Sequence, residues 1–93
     1  MKELRARREE ILAAAARWGG RDLRIFGSVA RGEAGPHSDV DILLDMEKDR
    51  SLMDMGGLLM DLQDLLDCRV DLVTEAGLHW YIKDRVLKEA VPL

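Results

Sequence analysis

The hexapeptide Asp39-Val40-Asp41-Ile42-Leu43-Leu44 constrains this chain more than any other segment. Its apolar run reads as a strand, from Asp39 to Met46, with two carboxylates at its head. In a strand, residues i and i+2 project from the same face, about 6–7 Å apart along the backbone. Aspartate is depleted in strands and like charges on neighbouring positions repel, so the arrangement is unfavourable unless something positive lies between them. A divalent cation is the obvious candidate. A third acid, Asp71, interrupts the apolar run Val70-Asp71-Leu72-Val73 in a further expected strand, Arg69 to Thr74. If the two strands are neighbours, Asp39, Asp41 and Asp71 converge. Carboxylate oxygens alone suit Mg²⁺ or Mn²⁺ rather than zinc. Two such ions about 3.5–4 Å apart can promote in-line displacement at phosphorus. Taken singly, Asp39 also reads as a strand-start residue and Asp71 as a solvated edge.

The surrounding elements follow from periodicity and punctuation. Residues 2–18 predict a helix, with Leu4, Ile11, Ala15 and Trp18 at helical spacing, ended by Gly19-Gly20. Asp22 to Phe26 predicts a short strand running directly into Gly27-Ser28, a place to look for phosphate contacts. Val29 to Ser38 opens as a helical turn and becomes a loop at Gly35-Pro36-His37-Ser38. Residues 51–66 predict a helix with Ser51 as N-cap and a stripe of Leu52, Met55, Leu59, Leu62 and Leu66, although Gly56-Gly57 weakens it by about 1 kcal/mol per glycine. A last helix is expected from about Leu78 to Ala90, stopped by Pro92. The order describes an α+β fold, a two-layer arrangement in which a small mixed sheet is flanked by helices.

At 93 residues the chain suffices for one core and not two, since a chain of this size buries roughly 60–65% of its unfolded surface. A single domain over residues 1–93 is expected. With 47% hydrophobic and 34% charged residues, disorder is excluded. No apolar run approaches the ~18 residues of a membrane span and the first residues have no signal-peptide character, so a cytoplasmic protein with no membrane association is expected. The lone Cys68 excludes a disulfide framework and reads as a small hydrophobe. The net charge of -4 is unevenly spread: residues 1–31 are basic, residues 32–67 strongly acidic, residues 68–93 balanced. An acidic whole argues against direct duplex nucleic-acid binding, which depends on Lys and Arg neutralising phosphates.

Gly27-Ser28, ten residues, then Asp39-Val40-Asp41 resembles the signature of the DNA polymerase beta-like nucleotidyltransferases. The strings Phe26-Gly27-Ser28-Val29-Ala30-Arg31-Gly32 and Ser38-Asp39-Val40-Asp41-Ile42-Leu43 are similar, more narrowly, to minimal nucleotidyltransferase (MNT) domains, which are commonly antitoxins paired with HEPN-domain ribonuclease toxins. The resemblance implies a palm-like nucleotidyltransferase fold. It also implies that Gly27 and Ser28 bind the triphosphate of ATP, with Arg31 orienting phosphate or bracing the loop. Asp39, Asp41 and Asp71 would be both catalytic residues and ligands of two Mg²⁺ ions. The implied activity is that of an antitoxin in a type VII-like HEPN/MNT system, transferring AMP to a tyrosine hydroxyl of the HEPN toxin and releasing pyrophosphate. A non-catalytic antitoxin that acts by binding, and nucleotidyl transfer to RNA or a small molecule, remain as alternatives.

A chain this short has no segment to spare for holding an acceptor, so a partner is expected to bring it. Two helices could dock that partner: the Met-rich helix, with Met53 and Met60 off the leucine stripe, and the last helix, apolar around more of its circumference than a surface helix requires. The competing expectation is that both are buried in the core. His37 and His79 lack metal-ligand spacing and read as surface residues, with His37 near enough to Asp39 to suggest a nucleotide contact.

Overall fold

The computed structural model describes residues 2–33, 35 and 39–93. The expectations for Pro36, His37 and Ser38 lie outside the described residues. Four strands form one mixed sheet in the order β3-β2-β1-β4. These are β1 (Gly20–Phe26), β2 (Val40–Met46), β3 (Val70–Thr74) and β4 (Val91–Pro92). The helices are α1 (Lys2–Ala6), α2 (Arg8–Arg17), α3 (Gly27–Arg31), α4 (Leu52–Leu66) and α5 (Trp80–Glu89), with a 3₁₀ turn at Glu75–Gly77. The α+β class expected from the sequence is the one observed.

β1 and β2 are antiparallel and pair Phe26 with Asp41 at one end and Gly20 with Met46 at the other. β2 and β3 are parallel, with α4 supplying the crossover that a parallel pair needs. Alternation along β2 sends Val40, Ile42 and Leu44 into a cluster with Leu23 and Ile25 of β1, Val70 of β3, Ile11 and Ala15 of α2, and Leu58 and Leu62 of α4. Asp41 and Leu43 therefore belong to the other face. Leu43 is fully buried there, and Val86 of α5 is also buried outside the main cluster.

Three local differences from the sequence expectation have physical causes. The expected 2–18 helix is two helices, broken at Arg7. The Arg7 guanidinium turns away to donate to the Leu65 carbonyl, one of the end carbonyls of α4 that no helical N–H reaches, while its backbone N–H closes a turn on the Leu4 carbonyl at 3.1 Å. The leucine stripe of α4 is rotated: Leu58 and Leu62 are buried and Leu52 is 85% exposed. Gly57 accounts for part of this, because a Cβ there would lie 2.7 Å from the Trp18 ring. That ring packs across the helix and donates Nε1–H to Asp61 at 2.7 Å. Finally, Pro92 does not merely stop the last helix. The chain extends at Ala90 and Val91 and forms β4, antiparallel to Arg24 and Ile25, at the sheet edge where a proline is tolerated.

Candidate active site

The site is built at the end of the sheet where β1 finishes and β2 and β3 begin. β1 delivers Gly27 and Ser28 into the first turn of α3, and the β1–β2 register sets Phe26 opposite Asp41. On the other side, Val40 N–H donates to the Arg69 carbonyl at 3.0 Å and Val70 N–H to Gln63 Oε1 at 3.3 Å, which fixes where β3 starts. Asp41 and Asp71 then face each other across the parallel pair. Asp39 just precedes β2 and is half-buried, as is Asp41, whereas Asp71 is exposed.

Electrostatics register this crowding. Burial pushes the Asp41 carboxyl above the usual aspartate range; the charge of Asp71 and a hydrogen bond with it push further in the same direction, and Asp39 adds to them. Arg31 draws the Asp41 carboxyl back down. The Cys68 thiol is raised by burial and then by the charges of Asp39 and Asp67, so it too borders the acidic end.

Gly27 is required on two counts. Its φ is +75°, in the left-handed region, and a Cβ would run into Asp41 Oδ2 and lie 3.2 Å from Asp41 Cγ. The backbone turn and the carboxylate thus occupy adjoining space with no room for a side chain between them. Ser28 is half-buried in the first turn of α3, and Gly32, at φ +74°, closes that helix with its N–H on the Ser28 and Val29 carbonyls. Arg31 lies between two acids, Nε 2.9 Å from Glu33 and Nη1 3.3 Å from Glu89 in the last turn of α5. Both partners raise its pKa, Glu33 through a hydrogen bond foremost, against the opposing effect of burial.

The fold brings Gly27, Asp39, Asp41, Asp71 and Arg31 into one neighbourhood. Among the described residues, no three acidic, histidine or cysteine side chains are already gathered tightly enough to hold an ion. The residues nevertheless suit a hard cation, since Asp41 and Asp71 bring carboxylate oxygens into register on neighbouring strands, with Asp39 close enough to add its charge. Glu89 was not legible as a neighbour of the site. It is 58 residues from Arg31, and only the α3–α5 packing joins them.

The chain belongs to the nucleotidyltransferase domain family, whose profile matches residues 8–93. It is a nucleotidyltransferase of the minimal type: it is similar to a solved structure described as a minimal nucleotidyltransferase, at TM-score 0.88 and 49% identity, over 99% of this chain and 94% of that one. It is 47% identical over 75 residues to the protein adenylyltransferase MntA of Thermococcus cleftensis, covering 81% of this chain and 76% of the relative. A toxin-antitoxin crystal structure with AMP-PNP contains a chain of the same fold, at TM-score 0.76 and 21% identity, over 90% of this chain and 69% of that one. Among the described residues, no helix is long and apolar enough to cross a membrane.

Proposed function

We propose that the chain is a single-domain cytoplasmic antitoxin that transfers AMP from ATP to a tyrosine hydroxyl of a HEPN-domain toxin, releasing pyrophosphate. The observation that carries the reading is the register of Asp41 against Asp71, with Gly27 packed against Asp41 too closely for any Cβ. The adenylyltransferase relative and the toxin-antitoxin complex with AMP-PNP support the nucleotide and the kind of partner.

In this reading Asp39, Asp41 and Asp71 hold two Mg²⁺ ions, which when bound offset the carboxylate repulsion and the charge developing on the phosphates. Gly27 lets the backbone approach the triphosphate, and Ser28 offers its hydroxyl and amide to phosphate oxygens. Arg31 orients the phosphate chain. In the same reading the exposed Asp71 accepts the proton of the incoming hydroxyl as the new O–P bond forms and pyrophosphate leaves with the bonding pair. The partner brings the acceptor.

Labelled ATP separates this from its rivals. ATP labelled at the α-phosphate should mark the HEPN toxin in the presence of Mg²⁺, while label at the γ-phosphate should not. The Asp39→Asn, Asp41→Asn double variant should transfer no label. Full protection of cells by that variant, with no label on the toxin, would mean neutralisation by occlusion, and α-label appearing on RNA or small metabolites without the toxin would mean a different acceptor.

A further inference from the structure

Glu89 occupies an unfavourable place for a carboxylate. It is the last residue of α5, where the helix dipole disfavours negative charge, and it is only 26% exposed. Two cations offset this. Arg85 Nε approaches Glu89 Oε1 at 3.6 Å from within the same helix, and Arg31 Nη1 approaches Oε2 at 3.3 Å from α3. The backbone just beyond Glu89 is fixed, since Val91 and Pro92 pair with Ile25 and Arg24, the residues of β1 that lead into Phe26 and Gly27. The strand that delivers the Gly27-Ser28 turn therefore also anchors the carboxylate that meets Arg31.

A guanidinium offers its donors in a rigid planar fork. Here Glu33 engages Nε and Glu89 engages Nη1. With two positions of the fork held by acids on different elements, the plane of the group is set, and its five N–H donors outnumber the two hydrogen bonds these acids take. Glu33 lies just past the end of α3, two residues from Arg31, with its backbone N–H on the Ser28 carbonyl of that same helix, whereas Glu89 ties the group to a separate helix. Arg31 is also near enough to Asp41 to lower that carboxyl.

Building on the reading of Arg31 as a phosphate-orienting residue, we propose that Glu89 is a positioning residue for nucleotide binding. It fixes the Arg31 guanidinium from the α5 side so that its remaining N–H donors are presented to the phosphates of a nucleoside triphosphate.

The test is calorimetric titration of the full chain with ATP in excess Mg²⁺. Arg31→Ala should weaken binding by about tenfold or more, and Glu89→Ala by about tenfold, the scale of one charge-assisted hydrogen bond. Glu89→Gln, whose amide oxygen still accepts from Nη1, should restore most of that loss. In the Arg31→Ala background, Glu89→Ala should have no further effect. The inference is overturned if Arg31→Ala weakens binding while Glu89→Ala binds ATP as the wild type does, or more tightly. It is equally overturned if Glu89→Ala weakens binding as much without Arg31 as with it, since the effect would then be structural. If Arg31→Ala itself binds ATP normally, the role given to Arg31 under the proposed function fails, and the positioning role fails with it.

Discussion

Replacing Gly27 with alanine tests how tightly the Gly27-Ser28 turn and Asp41 are built together. Two costs arise. Holding an alanine at φ +75° costs about 1 kcal/mol relative to glycine. The new Cβ also collides with Asp41 Oδ2, and Asp41 Cβ and Cγ, at 3.5 and 3.2 Å, leave it little space to retreat. Asp41 belongs to a strand paired on both sides, so relief comes mainly from forcing its side chain off its rotamer, a further cost of about 1 kcal/mol or somewhat more. The sum is about 2–3 kcal/mol. For a chain of this size each 1 kcal/mol moves Tm by about 4–8 °C, so Gly27→Ala should melt about 10–20 °C below the wild type. Gly32 supplies the control, because its φ is +74° and a Cβ there meets nothing within 4 Å among the described residues. Gly32→Ala should therefore lose only the backbone component, about 1 kcal/mol. Adding Asp41→Ala to Gly27→Ala should recover the collision component. Circular-dichroism melts of the four proteins decide the matter. If Gly27→Ala melts within a degree or two of Gly32→Ala, the turn and the carboxylate are not sterically interlocked and the reasoning is wrong.

Asp41→Asn should raise the Tm of the metal-free protein at pH 7. Because the folded protein raises this carboxyl, the associated stability is fully present below the unfolded aspartate value of about 3.9 and is lost as pH rises through the folded value. The advantage of the asparagine variant should accordingly be largest near neutral pH and vanish towards pH 4 in pH-dependent melts. Added Mg²⁺ should stabilise the wild type and not the variant. Trp18→Phe removes the 2.7 Å bond to Asp61 while keeping most of the packing, and should cost about 1 kcal/mol in urea denaturation. No loss there would mean that the indole N–H is equally well served by water.

What was legible in the sequence follows the range over which each signal acts. The strand heads, the Gly27-Ser28 turn and the acids at 39, 41 and 71 are local patterns, and the sheet puts β2 beside β3 as the convergence of those acids required. The Ser51 cap was readable for the same reason: its side chain and Asp54 close a capping box within four residues. The break at Arg7 was hidden because nothing local marks it, and the Leu65 carbonyl that the Arg7 side chain meets lies 58 residues away. Likewise Gly57 looked like a defect in a helix until Trp18 was seen to fill the space it leaves. β4 escaped because two residues ending in proline carry no strand pattern of their own, and only the open edge of β1 gives them a partner. The expectation that the Met-rich and final helices are buried fails in part. Met53, Met60, Trp80 and Tyr81 are exposed at 85%, 67%, 81% and 67%, which no amphipathic count distinguishes from core.

The most direct test of the proposed function is the intact mass of the proposed partner, a HEPN-domain toxin, after incubation with this protein, ATP and Mg²⁺. A gain of one or more AMP units, located on tyrosine by fragmentation, is expected, and no gain when Asp41→Asn replaces the wild type. An unmodified toxin that is nonetheless silenced, or equal modification by the Asp41→Asn protein, would contradict it.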